Sequence, residues 1–244
     1  MSKTPNMNTK KILKEMKLGD IVTQNPSLAL EFEKRSLDYC CQGSRTLEQA
    51  ADKAGLDAQT LAEELTQAMV DEPPEEWSKL SPIELIENIE SVHHAYLWDN
   101  FDRIEALVEK IAKVHGERHE ELIEVESLYS EIRKDLEPHL RKEEQVLFPM
   151  IRRISESAHE TEAEELVEKI QMINDEHEPV GELLTQLNSV TSGYTTPADG
   201  CATYAACYQA LAEFEADIHL HIHKESNVLF PALNTKPVKG WAKA

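Results

Sequence analysis

Apolar residues recur every three or four positions along most of this chain, the spacing that lines one face of an α-helix. The pattern is clearest at Ile86, Ile89, Leu97, Phe101, Ile104, Val108 and Ile111. That run opens at Ser81-Pro-Ile-Glu84, with serine at the N-cap, proline at the first helical position and glutamate at the third. Such a capping box starts a helix, and Gly116 is placed to end it. The same periodicity predicts three further helices, over about 117–155, 160–190 and 201–233. Pro138 and Pro179 fall inside them and are expected to kink them locally.

The first part of the chain reads differently. Residues 1–17 are polar and lysine-rich, which predicts a flexible tail. Short helical signals follow, punctuated by Asn25-Pro26, Gly43 and Gly55, with amphipathic helices expected over 44–55 and 57–70. Asp71-Glu-Pro-Pro-Glu-Glu reads as a linker, because consecutive prolines stop a helix. The predicted organisation is a tail (1–17), a small helical domain (18–72) and a helical bundle (80–235). The fold class is all-α: an up-down-up-down four-helix bundle preceded by a small helical domain.

One motif occurs twice within the predicted bundle. His139-Leu-Arg-Lys-Glu143-Glu-Gln-Val-Leu-Phe-Pro149 is echoed by His221-Ile-His-Lys-Glu225-Ser-Asn-Val-Leu-Phe-Pro231. Four residues of α-helix advance about 6 Å and rotate about 40°, so each histidine and its glutamate share a face. An imidazole and a carboxylate presented together, twice, suit a site for two metal ions.

Symmetry about the turns extends the set. In antiparallel neighbours, residues at one level lie equally far in sequence from the connecting turn. The midpoint between His94 and His139 falls at Gly116–Glu117, that between His139 and His177 at Ala158, and that between His177 and His221 at Asp199. All three positions fall at expected breaks, so four histidines, one per helix, are predicted to share a layer. The candidate ligands are His94, His139, Glu143, His177, His221 and Glu225. Against the apolar stripe near Leu97, however, His93 points closer to the core than His94, so periodicity alone leaves this position open. His115 lies 21 residues beyond His94, about 31 Å along a continuous helix, and belongs at the hairpin end. His219 and His223 are expected on the solvent side of their helix, and His119 and His159 near turns. Imidazole with carboxylate suits iron or manganese better than calcium, and the absence of thiolate argues against structural zinc.

Composition narrows the partners. The 244 residues include 46 acidic and 25 basic side chains, for a net charge of -21. Such a chain repels phosphate backbones, which argues against nucleic acid as a partner. No stretch approaches the roughly 20 apolar residues that span a bilayer, and the first residues lack the apolar core of a secretory signal. The four cysteines do not form a disulfide pattern: Cys40 and Cys41 are neighbours, and Cys201 and Cys207 face different sides of a helix. Reduced thiols and a cytoplasmic location are expected.

These residues resemble the iron–sulfur cluster repair di-iron family, also called repair of iron centres. The resemblance covers residues 18–235. It rests on His94, His139-x3-Glu143, Glu-His177, His221-x3-Glu225 and both Val-Leu-Phe-Pro tails, and on Leu37-Asp-Tyr-Cys40-Cys41-Gln-Gly43. The family typically shows Asp-Tyr-Cys-Cys-Gly-Gly, so Gln42 is a departure. The resemblance implies a haemerythrin-like bundle, favours His94 over His93, and makes the metals two non-haem iron ions bridged by carboxylates and an oxygen atom. It also gives Cys40 and Cys41 a role with iron, nitric oxide or electrons, and Ser44 is placed to cap a helix beside them, which favours thiolate character. Oxygen-carrying haemerythrins differ in having His-x3-His on the third helix, where this chain has Gly181, and aspartate on the fourth.

The resemblance therefore implies repair of iron–sulfur clusters damaged by nitrosative or oxidative stress, with iron supplied to the damaged protein. Donation is favoured over catalysis. Reduction of nitric oxide or peroxide, and a module sensing iron, oxygen or nitric oxide, are the alternatives. Damaged iron–sulfur proteins and small ligands such as NO or O2 are the expected partners, and the reading leaves room for a homodimer.

Overall fold

The computed structural model describes residues 11–69, 77–157 and 163–235. Two compact units are present: residues 1–80 with His223–Val228, and residues 81–222 with Leu229–Ala244. No helix among the described residues is long and apolar enough to cross a membrane.

The first unit contains α1 (Leu18–Gln24), a 3-10 turn (Pro26–Leu28), α2 (Ala29–Glu33), α3 (Leu47–Ala54) and α4 (Ala58–Ala68). Its core gathers Leu18, Ile21, Val22, Leu28, Phe32, Leu47, Ala51, Leu61 and Leu65. Residues 11–17 correct the expected tail. Ile12 is buried and its N–H donates to Thr66 Oγ1 at 3.0 Å. The carbonyls of Lys14 and Met16 accept from Glu48 and Leu47 at 2.8 and 2.9 Å. Helix α3 starts later than Ser44: Thr46 caps it, with the Gln49 side chain returning to the Thr46 N–H at 3.0 Å. Gly43 cannot be replaced freely, because a Cβ there would meet the Tyr39 carbonyl at 2.7 Å. The expected linker at 71–76 lies outside the described residues.

The second unit carries most of a helical bundle, whose fourth helix also includes residues 223–228. Its first helix runs continuously through α5 (Pro82–Asn88), a π-helical turn (Ile89–His94) and α6 (Ala95–His115). The Ser81 capping box is formed: Ser81 Oγ accepts from the Glu84 N–H at 3.3 Å, and the Glu84 carboxylate from the Ser81 N–H at 2.9 Å. The second helix joins α7 (Glu121–Lys142), a π-helical turn (Glu143–Leu147) and α8 (Phe148–Ser157). The third is α9 (Ala163–Val190). The fourth joins α10 (Ala202–His223), a π-helical turn (Lys224–Leu229) and α11 (Phe230–Thr235). Pro138 and Pro179 sit inside α7 and α9, which continue through them.

Helical spacing dictates what is buried. Phe101, Ile104, Val108 and Ile111 from α6 are buried, as are Val125, Tyr129, Ile132 and Leu136 from α7, Leu184 and Leu187 from α9, and Leu211, Phe214 and Ile218 from α10. The ring of Phe214 stands 5.5 Å from that of Tyr129 and 6.1 Å from that of Phe101, tying three helices together. The Tyr129 hydroxyl is satisfied by the Phe101 carbonyl at 2.8 Å. This packing fixes the helices that carry the polar layer.

Candidate metal centre

Four imidazoles and two carboxylates come together in the bundle. His94, Glu143, His221 and Glu225 present ligand atoms within 4.8 Å of one another, and so do His139, Glu143, His177 and Glu225. Both glutamates belong to both groups. Each group could hold a cation, each offers two imidazoles, and the same two carboxylates occur in both.

Distances inside the cluster are those of groups converging on common points. His139 Nε2 lies 3.3 Å from Glu143 Oε1, while His94 Nε2 and His221 Nε2 lie 3.4 and 3.7 Å from Glu143 Oε2. His94 Nε2 and His221 Nε2 are 3.2 Å apart. The rings pair accordingly, His94 with His221 at 4.9 Å and His139 with His177 at 5.0 Å. Every one of the six is at most 2% exposed. Burial alone would push the Glu143 carboxyl up, but His139, then His221 and His94, hold it well below the usual carboxylate range. Two carboxylates so far from water are costly unless cations neutralise them. Oxygen and imidazole donors with no thiolate fit a divalent transition metal such as iron or manganese.

Three of the six candidate ligands lie in the π-helical turns: His94 at the end of the first, Glu143 at the start of the second and Glu225 within the third. A π turn widens the helix by one residue and is a frequent companion of functional sites. At the first of these turns His93 and His94 are both buried. Only His94 joins a donor group. His93 Nδ1 instead donates to Asp217 Oδ1 at 2.8 Å, with its ring 5.9 Å from that of His221.

A second layer aims the imidazoles. His94 Nδ1 donates to Glu144 Oε1 at 3.0 Å, and the Trp98 indole N–H donates to the same oxygen at 2.8 Å. His139 Nδ1 donates to Glu176 Oε2 at 3.1 Å, and Glu176 also pairs with Lys142. Hydrogen bonds from His139 and Lys142 lower the Glu176 carboxyl to about 2. With Nδ1 protonated and engaged, Nε2 turns its lone pair to the centre. Sequence reasoning missed Glu144, Asp217 and Trp98 entirely and cited Glu176 only as a motif neighbour. The available signal was adjacency: Glu144 and Glu176 immediately adjoin the ligands Glu143 and His177.

The remaining histidines separate by environment. His115 and His119 lie at the hairpin end, and His159 lies outside the described residues. His219 is half-buried, but His223 is fully buried, contrary to the expected solvent face. Within the first unit His223 Nε2 meets Thr23 Oγ1 at 3.1 Å, and the rings of Tyr39 and Trp77 stand 5.5 and 5.7 Å away. Burial first of all pushes its imidazole down to about 4. Extrapolating periodicity along a single helix could not see these covering rings.

Cys40 and Cys41 form a smaller group with Asp38, all within 4.8 Å. The sulfurs are 3.7 Å apart, and Asp38 Oδ1 accepts from the N–H groups of Cys41 and Gln42 at 2.9 and 3.2 Å. The Cys41 thiol, then burial, then Asp38 hold the Cys40 thiol well above the ordinary range, and no helix start lies beside it to compensate.

Comparison with known proteins fits this geometry. Residues 85–233 match the haemerythrin HHE cation-binding domain, and residues 14–69 match ScdA_N, a domain of unknown function. The iron-sulfur cluster repair protein ScdA of Staphylococcus epidermidis is 34% identical over 225 residues, covering 90% of this chain and 98% of that protein. A probable iron-sulfur cluster repair protein of Haemophilus influenzae is 32% identical over 226 residues, covering 91% and 98%. The iron-sulfur cluster repair protein YtfE of Yersinia pestis is 34% identical over 216 residues, covering 88% and 94%. With an ScdA_N domain followed by a haemerythrin HHE bundle, and with identity running along nearly the whole chain, this protein belongs to the iron–sulfur cluster repair family.

Proposed function

We propose that this protein holds two non-haem iron ions and supplies iron to iron–sulfur clusters damaged by nitrosative or oxidative stress. The observation that carries the reading is the pair of four-donor groups sharing both Glu143 and Glu225. His94 and His221 would hold one ion, His139 and His177 the other, and the two carboxylates would bridge them. Four protein donors leave a six-coordinate ion with open positions, which suits exchange of iron and access for small ligands such as NO or O2. The names carried by the relatives support the repair reading.

Cys40 and Cys41 with Asp38 would be a second, softer place for iron or nitric oxide. Four free cysteines suit a reducing compartment, and cytoplasmic residence belongs to the same proposal. The partners are damaged iron–sulfur proteins.

The test has two parts. Anaerobic reconstitution should yield two irons per chain, and the loaded protein should restore activity to a nitrosylated cluster enzyme. Recovery with free iron at the same level, but none with loaded protein, would overturn donation. A stoichiometry below two would overturn the shared-carboxylate centre.

A further inference from the structure

At the hairpin end of the bundle a second titratable cluster lies apart from the metal layer. Cys201, exposed and immediately ahead of α10, has its sulfur 3.2 Å from His115 Nε2. His115 is only 4% exposed. Its ring packs against Tyr204, with centroids 5.3 Å apart, and stands 6.4 Å from that of His119. His119 is itself held between Glu121 Oε1 at 2.9 Å and Asp199 Oδ1 at 3.0 Å, and Arg118 approaches Asp199 at 3.9 Å. The thiol therefore faces an imidazole on one side and the first turn of a long helix on the other.

We propose that Cys201 and His115 form a nucleophilic thiolate–imidazole pair that undergoes reversible exchange with low-molecular-weight disulfides. His115 Nε2 takes the thiol proton, leaving the sulfur as the nucleophile. The Cys201 sulfur attacks one sulfur of the disulfide, forming a new S–S bond. The original S–S bond breaks and its other half departs as a thiolate. Cys201 is oxidised to the mixed disulfide as the departing half is reduced to its thiolate, so the disulfide is itself the oxidant and no further reactant is required.

Several features converge on Cys201 rather than on the other three cysteines. It is the exposed one, whereas Cys40 and Cys207 are buried and Cys41 is partly covered. Hydrogen bonding to His115, then the backbone N–H of Tyr204, lower its thiol to about 7. Burial instead pushes the Cys207 thiol up to about 12. A helix N-terminus stabilises a thiolate through its unpaired N–H groups and dipole.

The size of the effect selects the readout. Lowering a thiol from about 8.5 to about 7 raises the thiolate fraction at neutral pH roughly fifteenfold. The weaker intrinsic nucleophilicity of a less basic thiolate takes back about fivefold. A net gain of about threefold is too small to be diagnostic, so the position of the pH inflection is the better measurement.

The experiment incubates the full-length, iron-loaded protein with glutathione disulfide and maps mixed disulfides by mass spectrometry across pH 5–10. The adduct is expected on Cys201 first, with half-maximal rate near pH 7. In His115→Gln the inflection should move up most of the way toward about 8.5, the Tyr204 N–H retaining the remainder, and Cys201→Ser should remove the adduct. An inflection in the unaltered protein at 8.5 or above overturns the pairing without reliance on any variant. So does faster modification of Cys41 than of Cys201.

Discussion

The carboxylate of Glu144 orients an imidazole that belongs to a different helix: its Oε1 accepts from His94 Nδ1 at 3.0 Å. Glu176 does the same for His139 at 3.1 Å. In each case the acidic neighbour of one ligand aims the ligand of another helix, so the coordinating residues are locked as a set. Replacing Glu144 with alanine should therefore weaken metal binding about 10- to 100-fold while leaving every proposed ligand in place. Competition against a chelator of known affinity measures this, and an unchanged affinity would show that the contact does not tune the site.

If the proposed centre holds two ions, glutamate and histidine variants should lose different numbers of them, because Glu143 and Glu225 belong to both donor groups and each histidine to one. Glu143→Leu removes a donor from both groups and should abolish stable binding of either ion. His177→Ala removes a donor from one group, so the position built on His94 and His221 should persist. Metal analysis after desalting distinguishes near-zero from about one ion per chain. Equal losses in the two variants would argue against two separable positions.

Stability rests on the aromatic junction as well as on metal. Phe214 is fully buried between Phe101 and Tyr129. Phe214→Ala should cost about 3–5 kcal/mol, combining lost transfer energy with the cavity left behind. Denaturant unfolding of the metal-free protein would read this, and a loss below about 1 kcal/mol would mean that the neighbours collapse into the space.

A pH effect is expected at the hairpin end. Glu121, then Asp199, raise the His119 imidazole above its ordinary value. The charged form is thus favoured in the folded state. Its stabilisation is complete below the unfolded value of about 6.5 and fades as pH rises through the folded value. The stability difference between the unaltered protein and His119→Gln should accordingly be largest in mildly acidic buffer and vanish at alkaline pH. An NMR titration placing His119 at or below 6.5 would contradict it.

Much of the bundle was legible because its signals are local. The Ser81 capping box, the apolar period through Ile111 and the distances from each histidine to the nearest turn all depend on short-range helical geometry. The same arithmetic brought out His94, His139, His177 and His221, which the structure gathers into the two donor groups. What sequence could not reveal depends on neighbours or on small departures from regularity. A π turn leaves no compositional mark, so burial of both His93 and His94 was unforeseen. His223 was assigned to solvent because its covering rings, Tyr39 and Trp77, are far away in sequence. Residues 11–17 looked like a tail because the groups that anchor them, Leu47, Glu48 and Thr66, are distant in sequence.

The widened turns at 89–94, 143–147 and 224–229 each hold a spare residue relative to an ordinary helix. Deleting one amino acid there, Val146 for example, should therefore be absorbed as a regular helix rather than as a break. Downstream residues such as Phe148 and Ile151 should then keep their packed face, while Glu143 and its neighbours lose the spacing that the wide turn gives them. Each insertion thus acts as a phase setter, letting one stretch of backbone present polar donors on one stroke and resume its greasy seam on the next.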